Sequence, residues 1–146
     1  MNTKNTGKNK GLNIILWIAQ VLLAGMFLMS GFMKVAQPIA ELSKMLPWAS
    51  EMPTGVVRFI GLSELAGGIG LLLPSILRIK PKLTAWAAVG LVVVMAFATV
   101  FHISRGETSV IGMNIVLMLI AVFIAWGRFK KVPIAEKGKR TSAFDI

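Results

Sequence analysis

The sequence predicts an all-α integral membrane protein, a four-helix antiparallel bundle with its N- and C-termini in the cytoplasm. Of its 146 residues, 55% are hydrophobic, and the mean hydropathy of +0.75 lies well above the range of soluble domains. Charged residues gather between long apolar runs, each long enough to cross a hydrocarbon core of about 30 Å. The chain has no cysteine, which excludes disulfides, thiol redox chemistry and cysteine-ligated metals.

The apolar runs and the turns between them place four spans. The first span has no charged residue before Lys34. Short polar turns at 78–82 and 104–108 predict that the last three spans pack as antiparallel neighbours in up-down order. The predicted segments are a basic disordered tail over 1–11, a membrane domain over 12–129 with spans at about 12–36, 56–77, 83–103 and 109–129, and a basic tail over 130–146 that stays outside the core.

The longest loop, between the first and second spans, is predicted to contain a short helix at 38–46 that lies in the membrane interface. Pro38 suits the first position of a helix. Apolar residues such as Ile39 and Leu42 then fall on one face, as in helices that lie flat on a bilayer. Trp48 is predicted to anchor this loop at the level of the headgroups.

The distribution of lysine and arginine predicts the orientation of the bundle. Of the 16 Lys and Arg residues, twelve lie in the N-terminal tail, the turn at 78–82 and the C-terminal segment from Arg128, and four lie on the other side. Because positive residues are retained on the cytoplasmic side, both termini are predicted to be cytoplasmic. Clusters of charge at the ends of spans, with few aromatic residues among them, favour a topology signal over nucleic-acid binding. We therefore expect the lipid bilayer as a partner and no nucleic acid.

Glu64 is the most unusual residue of the second span. At about 1.5 Å of rise per residue it lies roughly 9 Å deeper than Arg58, and a carboxylate there is costly unless it is paired, protonated or hydrated. We infer a polar binding pocket that opens outward, with Glu64 and His102 as candidate catalytic residues that accept and donate a proton. The five residues of this pocket, all in the extracytoplasmic half by the predicted orientation, are Lys34, Arg58, Glu64, His102 and Asn114.

Each of these residues also has a structural interpretation. Glu64 fits an ion pair with Lys34 or Arg58 that only locks the helices together. Lys34 and Arg58 lie near helix ends, where long cationic side chains reach the headgroups. His102, next to a turn, fits a solvated interfacial position, and Asn114 fits hydrogen bonding between helices. The sequence leaves the protonation state of Glu64 open.

Glycines are expected to support this arrangement by letting neighbouring helices approach closely. No metal site is predicted, because a single histidine and scattered carboxylates do not form a ligand set. The sequence also has no phosphate-binding loop and no dinucleotide fingerprint. The glycines assigned to helix packing are Gly31, Gly61, Gly67, Gly68 and Gly70.

The order of these residues resembles the DoxX-like family, which comprises small four-helix integral membrane proteins of bacteria and archaea. The resemblance covers about 12–129, nearly all of the chain outside the tails, and it implies a multi-pass protein of the bacterial cytoplasmic (inner) membrane. It rests on Gly31-x-x-Lys34 at the end of the first span, Arg58-x-x-Gly61-x-x-Glu64-x-x-Gly67 at the start of the second, His102 at the end of the third and Asn114 in the fourth.

The family takes its name from a small subunit of a terminal quinol oxidase and thiosulfate:quinone oxidoreductase, and other members are associated with oxidative or quinone stress. The resemblance therefore implies an accessory subunit of a quinone-linked redox or oxidative-stress system, with redox partner subunits and quinone as the small molecule within reach. The chain lacks the haem and metal ligands of an independent oxidase, which favours an accessory role over independent catalysis. A proton- or cation-coupled transporter or binding protein and a non-catalytic membrane assembly factor are the alternatives, and homo-oligomerisation stays open.

Overall fold

The computed structural model describes residues 3–138, with side chains from residue 9 onward. Over this part of the chain the fold is entirely helical, which confirms the predicted class. The elements are α1 (Thr3–Ala36), α2 (Ile39–Met45), a 3₁₀ turn at Pro47–Ser50, α3 (Thr54–Leu77), α4 (Lys82–Ser104), α5 (Thr108–Trp126) and a π turn at Gly127–Lys131.

Four helical segments of the described chain are long and apolar enough to cross a membrane, as predicted. Their outer faces expose large apolar side chains, and Phe59, Phe97 and Val100 are each more than half exposed. Soluble monomers rarely expose apolar patches of this extent, whereas lipid tails solvate them. The protein is therefore a multi-pass membrane protein with a four-helix bundle. The four segments are Asn9–Ala36, Thr54–Leu77, Lys82–Ser104 and Thr108–Lys131.

The bundle closes into a ring of neighbouring helices. α1 packs against α3, α3 against α4, α4 against α5, and α5 returns to α1. We call the end that contains the last turns of α1 and α4 and the first turns of α3 and α5 the loop end. The opposite end, with the α3–α4 turn and the end of α5, is the terminal end. Which end faces the cytoplasm stays a prediction. The central core includes Leu23, Phe27, Leu71, Leu91 and Ile124.

Glycines bring the helices close together at the loop end. A Cβ atom on Gly31 would lie 2.7 Å from the carbonyl oxygen of Gly61, and one on Gly61 would lie 2.7 Å from the Cβ of Lys34. Such distances are too short for real side chains, so α1 and α3 touch backbone to backbone here. The other glycines assigned to packing also face neighbouring helices: Gly67 faces Leu91, Gly68 faces Leu28 and Gly70 faces Ala87.

The loop after α1 folds back onto the bundle. The short helix predicted at 38–46 is present as α2, and its Leu42 is buried together with Val57 of α3; its position in the membrane interface stays a prediction. Trp48 differs from the prediction, because only 9% of it is exposed. Its ring packs edge to face on Phe101 at 5.9 Å between centroids. It therefore serves as a core residue of this loop rather than as an anchor among the headgroups.

The N-terminal segment is more ordered than the sequence predicted, and the described part of the C-terminal tail contacts the bundle. α1 begins at Thr3, so the described part of the segment 1–11 is helical and not a disordered tail. After the π turn the chain runs back across the terminal end, where Arg78 Nε donates to the carbonyl of Ala135 at 2.9 Å. The backbone N–H of Lys137 donates to the carbonyl of Arg78 at 2.8 Å. The described part of the C-terminal tail is thus attached to the α3–α4 turn, whereas residues 139–146 lie outside the described chain.

Candidate functional site

A buried ion pair joins α1 to α3 at the loop end. Lys34 Nζ lies 3.0 Å from Glu64 Oε1 and 2.8 Å from Glu64 Oε2. The two side chains are only 7% and 6% exposed. The close contact of Gly31 with Gly61 makes this pair possible, because it brings the two helix backbones within reach of one another one turn away from Lys34 and Glu64.

Two neighbours complete this arrangement. Ser30 lies one turn before Lys34 on α1, and its hydroxyl donates to Glu64 Oε2 at 3.0 Å while accepting a hydrogen bond from Lys34 Nζ. Arg58 of α3 donates from Nη1 to the carbonyl of Lys34, which satisfies a carbonyl in the last turn of α1. We call Ser30, Lys34, Arg58 and Glu64 the Lys34–Glu64 cluster.

The Lys34–Glu64 cluster is internally satisfied. An ammonium group has three N–H donors, and Lys34 directs hydrogen bonds to the Ser30 hydroxyl and to both Glu64 oxygens. The positive and negative charges also cancel within the cluster, apart from the half-buried Arg58. A molecule that binds here must therefore compete with bonds that already exist.

His102 belongs to a separate group of charges at the end of α4. Its Nδ1 lies 2.5 Å from Glu107 Oε2, in the turn that leads to α5. Arg105 donates from Nε to Glu107 Oε1 at 2.8 Å and from both Nη atoms to Glu51. These four residues, Glu51, His102, Arg105 and Glu107, form the His102 cluster, which ties the long loop to the α4–α5 turn.

Electrostatic interactions stabilise the charged forms in the His102 cluster. The hydrogen bond from His102, followed by that from Arg105, holds the pKa of Glu107 below its ordinary value. The hydrogen bond from Arg105 likewise lowers the pKa of Glu51. The two carboxylates together raise the pKa of Arg105, with the bond to Glu51 as the larger cause. The carboxylates of Glu51 and Glu107 and the guanidinium of Arg105 therefore stay ionised at neutral pH.

The five predicted pocket residues are distributed over three places. Lys34, Arg58 and Glu64 lie together in one hydrogen-bonded cluster. His102 bonds Glu107 of its own turn and not Glu64, and its ring packs between Trp48 and Phe101, with centroids 6.4 and 5.2 Å away. Asn114 is 8% exposed, and its Nδ2 has no hydrogen-bond partner among the described residues.

A second buried charge, which sequence reasoning missed, lies at the terminal end. Arg128 is 4% exposed, although the sequence analysis counted it only as a topology signal and placed the polar groups in the other half. Its Nε donates to Gln20 Oε1 at 2.5 Å and its Nη1 to Asn13 Oδ1 at 2.7 Å. Asn13, Trp17 and Gln20 recur every three or four residues, so they share one face of α1. That spacing was the available signal.

The described residues contain no group of three or more His, Cys, Asp or Glu side chains that could hold a metal ion. The arrangement at the loop end instead offers hydrogen-bond donors and acceptors. The Glu64 carboxylate accepts, the Lys34 ammonium donates, and the amide of Asn114 has a free donor. These groups can bind a polar head on an otherwise apolar molecule, and they can transfer protons.

Comparison with known proteins agrees with this architecture. A model of the DoxX-like family matches residues 18–124, a range that begins inside the first span, contains the second and third spans and ends inside the fourth. No curated protein and no solved structure matches the chain. The match covers most of the sequence and contains every residue of the two loop-end clusters, and the chain therefore belongs to the DoxX-like family.

Proposed function

We propose that this protein is an accessory subunit of a quinone-linked redox or oxidative-stress system in the bacterial cytoplasmic membrane. In this proposal the Lys34–Glu64 cluster binds the polar head of a quinone and exchanges protons with it. One observation carries the proposal: a lysine and a glutamate, 7% and 6% exposed, form an ion pair among membrane-spanning helices. Family membership supports it.

The physical argument concerns the energetic cost of a buried pair. Apolar residues of similar volume commonly give a structure that is as stable as one with a buried ion pair, or more stable. Packing alone is therefore a weak reason to place Lys34 and Glu64 here. Charged residues inside a membrane protein more often mark a ligand or proton pathway.

The chemistry of the cluster matches the two forms of a quinone. A carboxylate such as Glu64 accepts a proton from a quinol hydroxyl, and an ammonium such as Lys34 donates a hydrogen bond to a quinone carbonyl. On α5, the amide N–H of Asn114, which has no partner among the described residues, offers a further donor to a quinone carbonyl. The apolar outer faces of the bundle suit a ligand that is itself dissolved in the bilayer.

One structural feature favours a second candidate function, a non-catalytic assembly factor. The Lys34–Glu64 cluster is satisfied without any ligand, since Ser30 and both carboxylate oxygens already occupy the ammonium group. A pair of this kind can fix the register of two helices and do nothing else.

Complementation of a deletion strain separates the two candidates. The strain receives wild type, Glu64→Gln, the double variant Lys34→Met/Glu64→Leu, or the control Glu41→Gln, which removes an exposed acid of α2. Growth and membrane respiration are measured under quinone or oxidant challenge, and membrane levels of each variant are checked. We expect Glu41→Gln to complement and both Glu64 variants to fail, with the double variant reaching normal membrane levels because it leaves no unpaired charge.

The double variant is decisive because it removes the charges without leaving either one unpaired. If it complements fully, the cluster serves packing and the assembly factor is the better description. Extraction in a mild detergent gives a second readout, since the proposal expects wild type to co-purify with a redox subunit and with quinone. A lone protein without quinone in that extract counts against the redox system itself.

A further inference from the structure

We propose that Arg128 forms a binding site for a phosphate anion at the terminal end, separate from the loop-end clusters. Arg128 is 4% exposed and directs its described hydrogen bonds to neutral oxygens only. Its partners are the side-chain oxygens of Gln20 and Asn13 and, at 3.2 Å, the carbonyl of Val132. A buried guanidinium stays charged, so its charge lacks a counter-ion in these contacts.

The guanidinium also has an unused donor. Its Nη2 is buried and has no hydrogen-bond partner among the described residues, and a buried donor without a partner is unfavourable, more so on a charged group. The longest of the bonds from Nη1, to Val132, is the one that an incoming acceptor displaces most easily. Two oxygens of one phosphate, bound by Nη1 and Nη2, satisfy both groups in the bidentate geometry that arginine favours.

The surroundings hold the guanidinium in place before any ligand arrives. Gln20 accepts from Arg128 and donates from its own amide to the carbonyl of Leu71 at 2.8 Å, so one chain of hydrogen bonds connects α5, α1 and α3. The ring of Trp17 covers one face of the guanidinium at 5.3 Å. Gly127 permits this approach, since a Cβ atom there would lie 2.5 Å from Leu16 Cδ2.

The described charges at the terminal end are mostly basic, with Glu136 as the acidic exception, and they favour an anion as the ligand. Lys130 and Lys131 follow in the same π turn, and Arg78, Lys80 and Lys82 lie in or next to the α3–α4 turn of the same end. Trp17, Trp86 and Trp126 also lie at this end, as is typical of the headgroup region. A lipid headgroup and a free phosphate share the chemistry that this site recognises, and a basic site at headgroup depth is reached by both.

The test uses full-length protein in a neutral detergent. Thermal unfolding is followed during titration with short-chain phosphatidylglycerol, short-chain phosphatidylcholine, or inorganic phosphate. The variants are Arg128→Met, Arg128→Lys, which keeps the charge but loses the fork, and the control Lys131→Met, which removes an exposed charge from the same turn. Tryptophan fluorescence gives a direct second readout, because Trp17 lies on the guanidinium.

We expect a saturable rise in the Tm of wild type, with a half-saturating concentration about tenfold higher in Arg128→Lys and no saturation in Arg128→Met, as loss of a charge-assisted bidentate pair implies. Lys131→Met should stay within about twofold of wild type. A response to phosphatidylglycerol alone identifies a lipid headgroup, and an equal response to inorganic phosphate identifies a free anion. If Arg128→Met does not fold, Arg128→Lys decides. A wild type that shows no saturable response, or Arg128 variants that match wild type, overturns the proposal.

Discussion

The two ends of the bundle treat a buried positive charge in opposite ways. At the loop end Lys34 is neutralised by Glu64 and donates a further hydrogen bond to the Ser30 hydroxyl. At the terminal end Arg128 is held by the amide oxygens of Gln20 and Asn13, which carry no net charge. The Lys34–Glu64 cluster balances its own buried pair of charges, whereas the contacts of Arg128 provide hydrogen bonds but no negative charge. An intramembrane charge therefore has to be assessed by its counter-ion as well as by its hydrogen bonds.

The largest effect on stability is expected when the buried Lys34–Glu64 ion pair at the loop end loses one partner. Lys34→Met leaves Glu64 buried without its partner and should lower the free energy of unfolding by about 3–5 kcal/mol. Lys34→Met/Glu64→Leu should recover to within about 1 kcal/mol of wild type, since no unpaired charge remains. Unfolding in detergent, followed by tryptophan fluorescence, measures both. If the double variant is as unstable as the single one, the ion pair itself stabilises this end, and the loss in Lys34→Met does not come from leaving Glu64 unpaired.

The glycines offer a test of intermediate size that compares the two ends. A Cβ atom on Gly31 meets the backbone of Gly61 and Leu65, which cannot move away, so Gly31→Ala should cost about 1–3 kcal/mol. A Cβ atom on Gly127 meets only the side chain of Leu16, which is buried but can shift more readily than a backbone. We therefore expect Gly127→Ala to cost less than Gly31→Ala.

Gly25→Ala is the matched control for both glycine variants, because nothing lies within 4 Å of a Cβ atom there. It should leave stability unchanged or raise it slightly, as alanine favours helix over glycine. The same unfolding measurement applies. Equal losses at Gly31 and Gly127 would indicate that α1 is no more tightly packed on α3 than on the end of α5.

The smallest effect on stability is expected from lowering the pH, and it distinguishes Glu107 from the exposed Glu41 at the same end. Because His102 and Arg105 lower the pKa of Glu107 in the folded protein, this carboxylate stabilises the fold at pH values above its ordinary pKa of 4.5. That contribution is lost as the pH falls below 4.5 through the lowered folded-state value. Glu107→Gln should therefore flatten the acid side of the plot of Tm against pH, whereas Glu41→Gln should keep the shape of wild type. Parallel curves for all three proteins would contradict this role of Glu107.

The four spans could be predicted because their signal is local. A run of apolar residues specifies a membrane helix by length and composition alone, and α3, α4 and α5 begin and end within a few residues of the predicted bounds. The sequence also predicted an ion pair of Glu64 with Lys34 or Arg58 as one alternative, because a carboxylate inside a span is costly without a nearby cation.

The contact between the α4–α5 turn and Glu51 and the partners of Arg128 could not be predicted, because they come from distant parts of the chain. Arg105 joins Glu107 to Glu51, which lies 54 residues earlier, and Arg128 bonds Asn13 from the start of the sequence. Charge counting treated Arg128 as one more positive residue outside the membrane, whereas the π turn directs it into the bundle. Side-chain direction at the end of a helix is set by tertiary contacts, which hydropathy does not contain.

The attachment of the C-terminal segment to Arg78 has a consequence for biogenesis. Arg78 has a left-handed backbone with φ of 55°, a conformation that costs about 1–2 kcal/mol in a residue with a side chain. The bonds that stabilise it come from Ala135 and Lys137, which leave the ribosome only after every span has been synthesised. The turn between the second and third spans is therefore completed last, by the same segment whose Val132 contacts Arg128. A nascent chain that stalls before this segment emerges would contain all four spans but would lack the bonds from Ala135 and Lys137 to Arg78.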